Sequence, residues 1–533
     1  MDGVVETRRP GGRRRPLRLS IGISALVLVV VLSAIIARVI HHANAILRAR
    51  VVDTLSTRFQ SQVTLAGLQV SVGRGLEVAG NDLKIYGQND VNIHAPGIQP
   101  LLSIQEFRFH TGLFGLFYTP MHVRAVRVKG LQLNIPPKEQ RQDDKKLKLS
   151  LRKLKIHVDR FVCEQAQLVI NTLRPGKPPL EFDMGKLTLT DPESGQPLLF
   201  DATLINPKPV GEIHATGRVG PLQADAPRNM PVQGTYTFTN ADLATIKGIG
   251  GILASTGTYH GTVGRIVVDG ETDTPDFRVA VSGRAVPLHT DFHAIVDGTS
   301  GDTYLEPVKA KVLNSLVIAR GSVVRMTEPK GHRVNLDIEI DNARIEDLLK
   351  MAVRTEPPVV TGTVQMRTKF DLPPGEPDLS DRLQLEGAFD MSDIHFTNEK
   401  VQDKVNALSL RSEGKPKLAK ENLPENIPSS MKGAFRLLHG TFCFSQLQFL
   451  VPGTEVDMTG KYSLDGNQFE FHGHARMDAK LSKMVGGWKS VLLKPVDPFF
   501  SKHGAGTEVP VKITGTKSEP QFGLDFGHKD HQE

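Results

Sequence analysis

Residues 458–479 read MTGKYSLDGNQFEFHGHARMDA, and this stretch decides the fold. Apolar and polar residues alternate on both sides of Asp465-Gly466. Alternation places every second side chain on one face of a β-strand, and an Asp-Gly pair is typical of a tight hairpin turn. The stretch therefore predicts a hairpin with one apolar face, and the rest of the chain must show what covers that face.

The same pattern recurs along the chain. Segments such as RVAVSGRA, VIARGSVV, QLEGAFD, VDMTGKYS and FEFHGHA each carry a glycine inside an alternating strand. Glycine within a strand marks a bulge or a bend where a sheet coils. We count about 25 candidate strands after residue 60. Helical patterns are few, and they fall at 240–255, 341–353 and 478–493.

These numbers predict a sheet with little helical cover. A helix about 10 Å wide covers roughly two strands spaced about 4.8 Å apart. Three helices therefore leave most apolar strand faces to close on one another or to stay open as a groove. The predicted fold is mainly β, a long, twisted and curled groove-like sheet with few short helices and one N-terminal transmembrane helix.

The N-terminal region predicts a membrane anchor. Residues 20–37, SIGISALVLVVVLSAIIA, carry no charge and would form about 27 Å of helix, which nearly spans a bilayer core. Several arginines precede them, so the positive-inside rule places the N-terminus in the cytoplasm and the bulk of the chain outside. The alternative is a signal peptide cleaved near Ala43-Asn44-Ala45.

The segments follow from these patterns. Residues 136–149 and 413–430 are charged and without period, which predicts exposed loops. The predicted organisation is a basic cytoplasmic tail (1–18), the anchor (19–40), an amphipathic linker helix (41–60), an N-terminal β-groove segment (61–135), a charged loop (136–149), a repetitive β-sheet region (150–477), and a C-terminal helix with closing strands (478–533).

The charge distribution argues against a nucleic-acid partner, and the two cysteines predict the state of the thiols. The formal net charge is +7, and the first 18 residues hold six arginines against Asp2 and Glu6, which is +4 and leaves +3 for the remainder. No basic patch or zinc-finger spacing argues for nucleic acid. Cys163 and Cys443 lie in apolar stretches, so we expect buried thiols, with a disulfide as the alternative in an extracytoplasmic compartment.

No motif predicts catalysis, a cofactor or a metal. His289 and His293 are four residues apart in a strand and lack the third ligand that a zinc site needs. Asp297 and Asp302 do not have the spacing of a calcium loop, and the run GIGG at 248–251 has no P-loop lysine. We therefore expect a protein that is not an enzyme and uses no cofactor or metal.

The aromatic inventory favours contact with hydrocarbon. The chain has 24 Phe against 1 Trp and 6 Tyr, whereas sugar-binding surfaces favour Trp and Tyr because these pair a ring with a polar tip. We expect Lys461, His472 and Arg476 to face water. The alternative is that the apolar side chains simply pack in a closed β core. The candidate lipid-groove residues are Phe442, Phe444, Leu447, Phe449, Met458, Tyr462, Leu464, Phe469 and Phe471.

Several segments resemble the AsmA-like envelope proteins of Gram-negative bacteria. They include ILRARVVDTLSTRFQSQVTLAGLQVSV after the anchor, PLHTDFHAIVDGTSGDTYLEPVKAKVLNSLVIARGSV, ARIEDLLKMA, and the run from LQFLVPGTEVDMTGKYSL to LSKMVGGWKSVLLKPVDPFFSKHGAG. The resemblance covers about 45–136 and 250–525 and is weak between them.

The resemblance implies a periplasmic protein anchored in the inner membrane, with a twisted sheet curled into a hydrophobic groove. It implies a link to outer-membrane assembly and to phospholipid movement between the membranes, similar to bridge-like lipid-transfer proteins, and it brings no catalytic residues. Two alternatives stay open. One is an assembly factor that pairs an exposed sheet edge with strands of outer-membrane proteins, and the other is an extracytoplasmic hydrolase.

Overall fold

The structure is a computed structural model of the chain. The chain divides into two compact units, residues 1–133 with 149–163, and residues 134–148 with 164–533. The residues that the structure describes are 30–31, 48–49, 51–53, 55–57, 61–72, 76–87, 99–111, 121–135, 156–171, 179–191, 196–221, 226–280, 282–353, 356–375, 377–421, 427–464, 468–485, 494, 497, 506–516 and 519–525.

The first unit is built on an antiparallel sheet. Strands β1 to β4 pair in chain order, and Leu65, Leu68 and Val78 form its buried core. The described residues of the predicted linker helix are helical, and Val51 and Val52 from this helix pack against that core. The strands are β1 (Val63–Val72), β2 (Leu76–Ile85), β3 (Leu102–Thr111) and β4 (Met121–Ile135), and β5 (Ile156–Ile170) crosses the division between the units.

The second unit holds the remaining strands. They are β6 (Leu180–Thr190), β7 (Leu198–Pro207), β8 (Val210–Val219), β9 (Pro231–Asp242), β10 (Ile249–Gly250), β11 (Ile252–Thr262), β12 (Arg265–Val279), β13 (Val286–Val296), β14 (Thr303–Val312), β15 (Ser315–Thr327), β16 (Lys330–Arg344), β17 (Val360–Leu372), β18 (Gln384–Phe396), β19 (Ser430–Leu438), β20 (Thr441–Val451), β21 (Thr454–Ser463), β22 (Phe469–Met477), β23 (Thr507–Gly515) and β24 (Pro520–Leu524).

These strands form one long antiparallel sheet that curls. Each strand from β6 to β24 pairs with the next, except that β9 pairs with β11 and the two-residue β10 pairs with β12. We call the face that carries Phe444 and Phe471 the inner face and the opposite face the outer face. Exposure alternates along the strands, as in β9, because outer side chains meet water and inner ones are shielded. The predicted mainly β, curled sheet is confirmed.

Glycines let inner-face aromatic rings lie against the backbone. Gly460 on β21 is opposite Phe471, and a Cβ at Gly460 would lie 2.5 Å from Phe471 Cδ1 and 2.3 Å from Glu470 O. We expect Gly460→Ala to lower the free energy of unfolding by about 1–3 kcal/mol, because the added methyl overpacks this contact. Urea denaturation measures the loss. Gly185→Ala is the control, since its Cβ would meet only Thr203 O at 3.6 Å, and equal losses would contradict the prediction.

The helices of the second unit are short. Helices α1, α3 and α5 follow strands β16, β18 and β22, which run in the same direction because an odd number of antiparallel strands separates each pair. These three helices therefore lie at the same end of the strands. The bounds are α1 (Ile345–Ala352), α2 (Leu379–Arg382), α3 (Glu399–Ser412), α4 (Leu418–Glu421) and α5 (Leu481–Met484), with 3-10 turns at Pro227–Asn229 and Leu243–Thr245.

Helix positions differ from the sequence prediction in several places. The helix expected at 341–353 is confirmed as α1, but the one expected at 240–255 is wrong. Gly248 and Gly251 have φ values of 99° and 122° there, and the backbone enters the ladders of β9, β10 and β11 instead. Helix α3 was not predicted, and α4 occupies part of the expected loop at 413–430. Of the helix expected at 478–493, the described part contains α5.

The predicted anchor lies outside the described residues, apart from Val30 and Val31. The predicted charged loop at 136–149 lies entirely outside them as well. Within the described part of the chain, no helix combines the length and the apolar character needed to cross a membrane. Cys163 is buried and Cys443 is exposed, and the two do not form a disulfide. The expectation of a buried thiol is therefore wrong for Cys443, which lies on the outer face of β20.

Candidate functional site

A continuous row of aromatic rings lines the inner face across five neighbouring strands, β18 to β22. Ring centroids of successive pairs lie 5.7–6.5 Å apart, within the range of favourable aromatic contact. The row forms because strand register brings Phe444, Gly460 and Phe471 level with one another. We call this row the aromatic patch, and its members are Phe389, Phe435, Phe442, Phe444, Tyr462, Phe469 and Phe471.

The aromatic patch is only partly shielded. Phe435 is 8% exposed, whereas the other six members are half-buried and retain surface accessible to a ligand. Phe389, Phe444 and Phe471 also pack against the neighbouring buried core, so each of these rings has one side in the core and a smaller part accessible. The accessible part of these rings is an apolar surface on the inner face.

The nine candidate groove residues divide into two groups. Phe442, Phe444, Tyr462, Phe469 and Phe471 belong to the half-exposed aromatic patch, and Leu464 is half-buried just beyond the end of β21. The remaining three candidates lie in a closed core with Ile427, Val456 and Met477, and they are Leu447, Phe449 and Met458.

Helix α3 closes the core at this end of the strands. Val405 and Leu408 from α3 pack against the buried core residues. Its buried positions are nevertheless largely polar. Gln402 accepts a hydrogen bond from Phe396 N at 2.9 Å, and Ser409 Oγ donates to Pro452 O at 2.7 Å. The helix is thus held at the strand ends by hydrogen bonds.

The outer face carries ion pairs. Arg367 pairs with Glu339 and Arg333 with Asp371 across neighbouring strands. Lys461 and Arg476 lie exposed on this face, as expected from the sequence, whereas His472 lies on it but is half-buried. A depression of about 520 Å³ lies here at the bulge between Phe444 and Leu447, bordered by polar groups that include the Arg476–Asp457 pair. Its polar border does not suit an acyl chain.

His472 fastens the last strand through its ring. Nδ1 lies 2.5 Å from Asp525 Oδ2 and Nε2 lies 3.1 Å from Glu470 Oε1, and these contacts, chiefly the one to Asp525, raise the pKa of His472. A raised pKa means that the pair stabilises the fold fully below the unfolded-state value of about 6.5 and that this stabilisation is lost as pH rises through the folded-state value.

We therefore expect His472→Gln to destabilise the protein more at about pH 5.5 than at about pH 9, by about 1 kcal/mol or less because the pair is near the surface. Urea denaturation midpoints at both pH values measure the difference. His474→Gln, on the same strand, is the control. An effect of His472→Gln that is equal at both pH values would contradict the assigned role of the ion pair.

The outer face also contains three metal-type donors close together. Ligand atoms of Glu271, His289 and Asp291 all lie within 4.8 Å of one another, so this set could hold a divalent cation. The group is largely exposed, and His289 Nδ1 is 2.7 Å from Asp273, which raises its pKa. His293 pairs separately with Asp269 at 2.7 Å. His289 and His293 therefore lie on the same face but belong to two different ion pairs.

No family model, no curated protein and no solved structure matches the chain. The resemblance to AsmA-like envelope proteins therefore stays a prediction.

Proposed function

We propose that the protein binds the acyl chains of phospholipids on the inner face of its second unit and moves phospholipid between membranes. The observation that supports this is the aromatic patch, a row of rings across five strands in which only the β19 member, Phe435, is buried and the members on the other four strands are half-buried. Binding of an acyl chain that removes this surface from water is favoured by about 25 cal/mol of free energy per Å² of apolar area buried. The charged outer face keeps the unit soluble while the inner face holds hydrocarbon.

The proposal includes a place in the cell. Residues 20–37 anchor the chain in the inner membrane with the N-terminus in the cytoplasm, and both units lie in the periplasm. The protein contributes to outer-membrane homeostasis without an enzymatic step or a cofactor, because lipid sliding along a groove needs only a gradient or a partner protein.

Bound lipid tests the proposal directly. The full-length protein is purified in mild detergent, and extracted lipid is identified by mass spectrometry. We expect phospholipid at near-stoichiometric amounts. A lipid-free preparation that also fails to take up phospholipid from vesicles would rule out the proposed binding.

The last strand favours one alternative function. Strand β24 pairs with β23, and within the described residues no strand pairs with its other edge. Phe522 and Leu524 on this strand are 52% and 50% exposed. An open edge with apolar side chains can add a strand from another protein, as an assembly factor for outer-membrane proteins would need. Crosslinks from β24 to outer-membrane protein precursors, in a preparation without bound lipid, would favour this function.

A further inference from the structure

The inner face changes chemistry along the sheet. Strands β9 to β13 place hydroxyl groups on the inner face beside Phe238, Leu288 and Phe292, whereas β18 to β22 place a row of aromatic rings there. Register places Ser255 opposite Thr272 and Thr272 opposite Thr290, so three hydroxyls follow one another across adjacent strands. We call this region the hydroxyl segment, and its members are Tyr236, Ser255, Tyr259, Thr272 and Thr290.

The hydroxyls bond to one another and to the backbone. Tyr236 Oη lies 3.0 Å from Ser255 Oγ, which donates to Glu271 O at 2.8 Å, and the Thr272 and Thr290 hydroxyls are 2.6 Å apart. Each hydroxyl has one donor and two acceptor lone pairs. Ser255 is buried and both donates and accepts in these contacts, whereas Thr272 and Thr290 are half-buried and their mutual contact uses only part of their hydrogen-bonding capacity.

The Tyr236 ring offers little apolar surface to a ligand in this part of the inner face. A Cβ at Gly257 would lie 2.8 Å from Tyr236 Cε1, and one at Gly270 would lie 2.7 Å from Tyr236 Oη, so the ring lies against glycine backbone. Thr274, on the same face of β12, is 1% exposed, and its hydroxyl makes no hydrogen bond within the described part of the chain. Polar groups thus extend to the shielded end of this strand.

We infer that the hydroxyl segment is a polar break that acyl chains do not cover, so that lipid binds to the aromatic patch as a bounded site. This inference rests on the proposed function. Hydrocarbon laid over the hydroxyl segment would displace water from groups that still need hydrogen bonds, whereas hydrocarbon on phenylalanine only removes apolar surface from water. Tyr236, Ser255, Thr272 and Thr290 then decide where along the inner face a lipid can reside.

Two matched phenylalanines allow a direct test. Phe292 is opposite Gly270 beside the hydroxyl segment, and Phe442 lies in the aromatic patch; both are half-buried. Each is replaced singly by benzoylphenylalanine in the full-length protein, which is then irradiated with vesicles of phosphatidylethanolamine and phosphatidylglycerol. We expect lipid labelling at Phe292 to be at least about tenfold weaker than at Phe442. Covering even one hydroxyl that lacks a hydrogen-bond partner weakens binding by about tenfold.

Removing the hydroxyls tests their role. Labelling at Phe292 should approach that at Phe442 when Tyr236→Phe, Ser255→Ala, Thr272→Val and Thr290→Val are combined. If that variant does not fold, the Thr272→Val, Thr290→Val pair gives a partial rise, and Thr272→Ser, Thr290→Ser gives none.

The outcomes separate the two proposals. Equal labelling at both sites in the unmodified segment, or weak labelling at Phe292 that the folded variants leave unchanged, would overturn the polar break while lipid binding stands. Absence of labelling at both positions would instead overturn the proposed function.

Discussion

Phe469→Asp and Phe471→Asp are each expected to reduce lipid labelling of the aromatic patch by more than about tenfold, because an ionised carboxylate against an acyl chain loses its hydration without gaining a partner. Phe471 lies at the centre of the patch, with its ring centroid 5.7 Å from that of Phe444. Phe469 lies at the edge of the patch, with its ring centroid 6.5 Å from that of Tyr462. A phospholipid with a diazirine in its acyl chain, added in vesicles to the full-length protein, reports contact.

Two controls make this result specific. Cys443→Asp adds the same charge to the exposed outer face between Phe442 and Phe444, and it should leave labelling unchanged. Phe469→Leu keeps an apolar side chain and should retain most of the labelling. Folded aspartate variants that are labelled as strongly as the unchanged protein would show that acyl chains do not contact this surface.

Phe449→Ala should have the opposite profile, with a large loss of stability and little loss of lipid labelling in the folded protein. Phe449 is 8% exposed and lies in the core that α3 closes. Its ring packs edge-on against Phe396, with the two ring centroids 6.1 Å apart. Truncating a buried phenylalanine typically costs about 3–5 kcal/mol through lost burial and the cavity left behind. Urea denaturation followed by circular dichroism measures this loss.

Phe442→Ala is the matched comparison for this second prediction. Phe442 is on the same strand and the same face but only half-buried, so we expect a smaller loss of stability and a clear loss of labelling. Equal destabilisation by the two substitutions would indicate that the inner face is a closed core from end to end. That result would remove the physical basis for lipid binding.

Much of the second unit was predictable from local sequence. The Met458 and Phe471 strands pair as the opening stretch predicts, and four of the five glycine-containing repeats are strands of the curled sheet. RVAVSGRA is the exception, because β12 ends at Val279 and Gly283, with a φ of 66°, lies in the connection to β13. The helix expected at 240–255 was wrong because glycines with positive φ and β-strand ladders on both sides outweighed its weak helical spacing. Helix α3 could not be predicted from a helical repeat of apolar residues, because the polar residues Gln402, Asn406 and Ser409 occupy its buried positions.

The sequence by itself determined the strands and the face on which each side chain lies, because alternation has a period of two residues and needs no distant contact. Only the tertiary structure decided which parts of the inner face are covered. Phe442 and Phe449 share one strand and one pattern, yet Phe449 is buried because a polar helix from a distant segment packs at its end of the strand. Likewise His472 meets Asp525 only because the sheet pairing brings the last strand alongside.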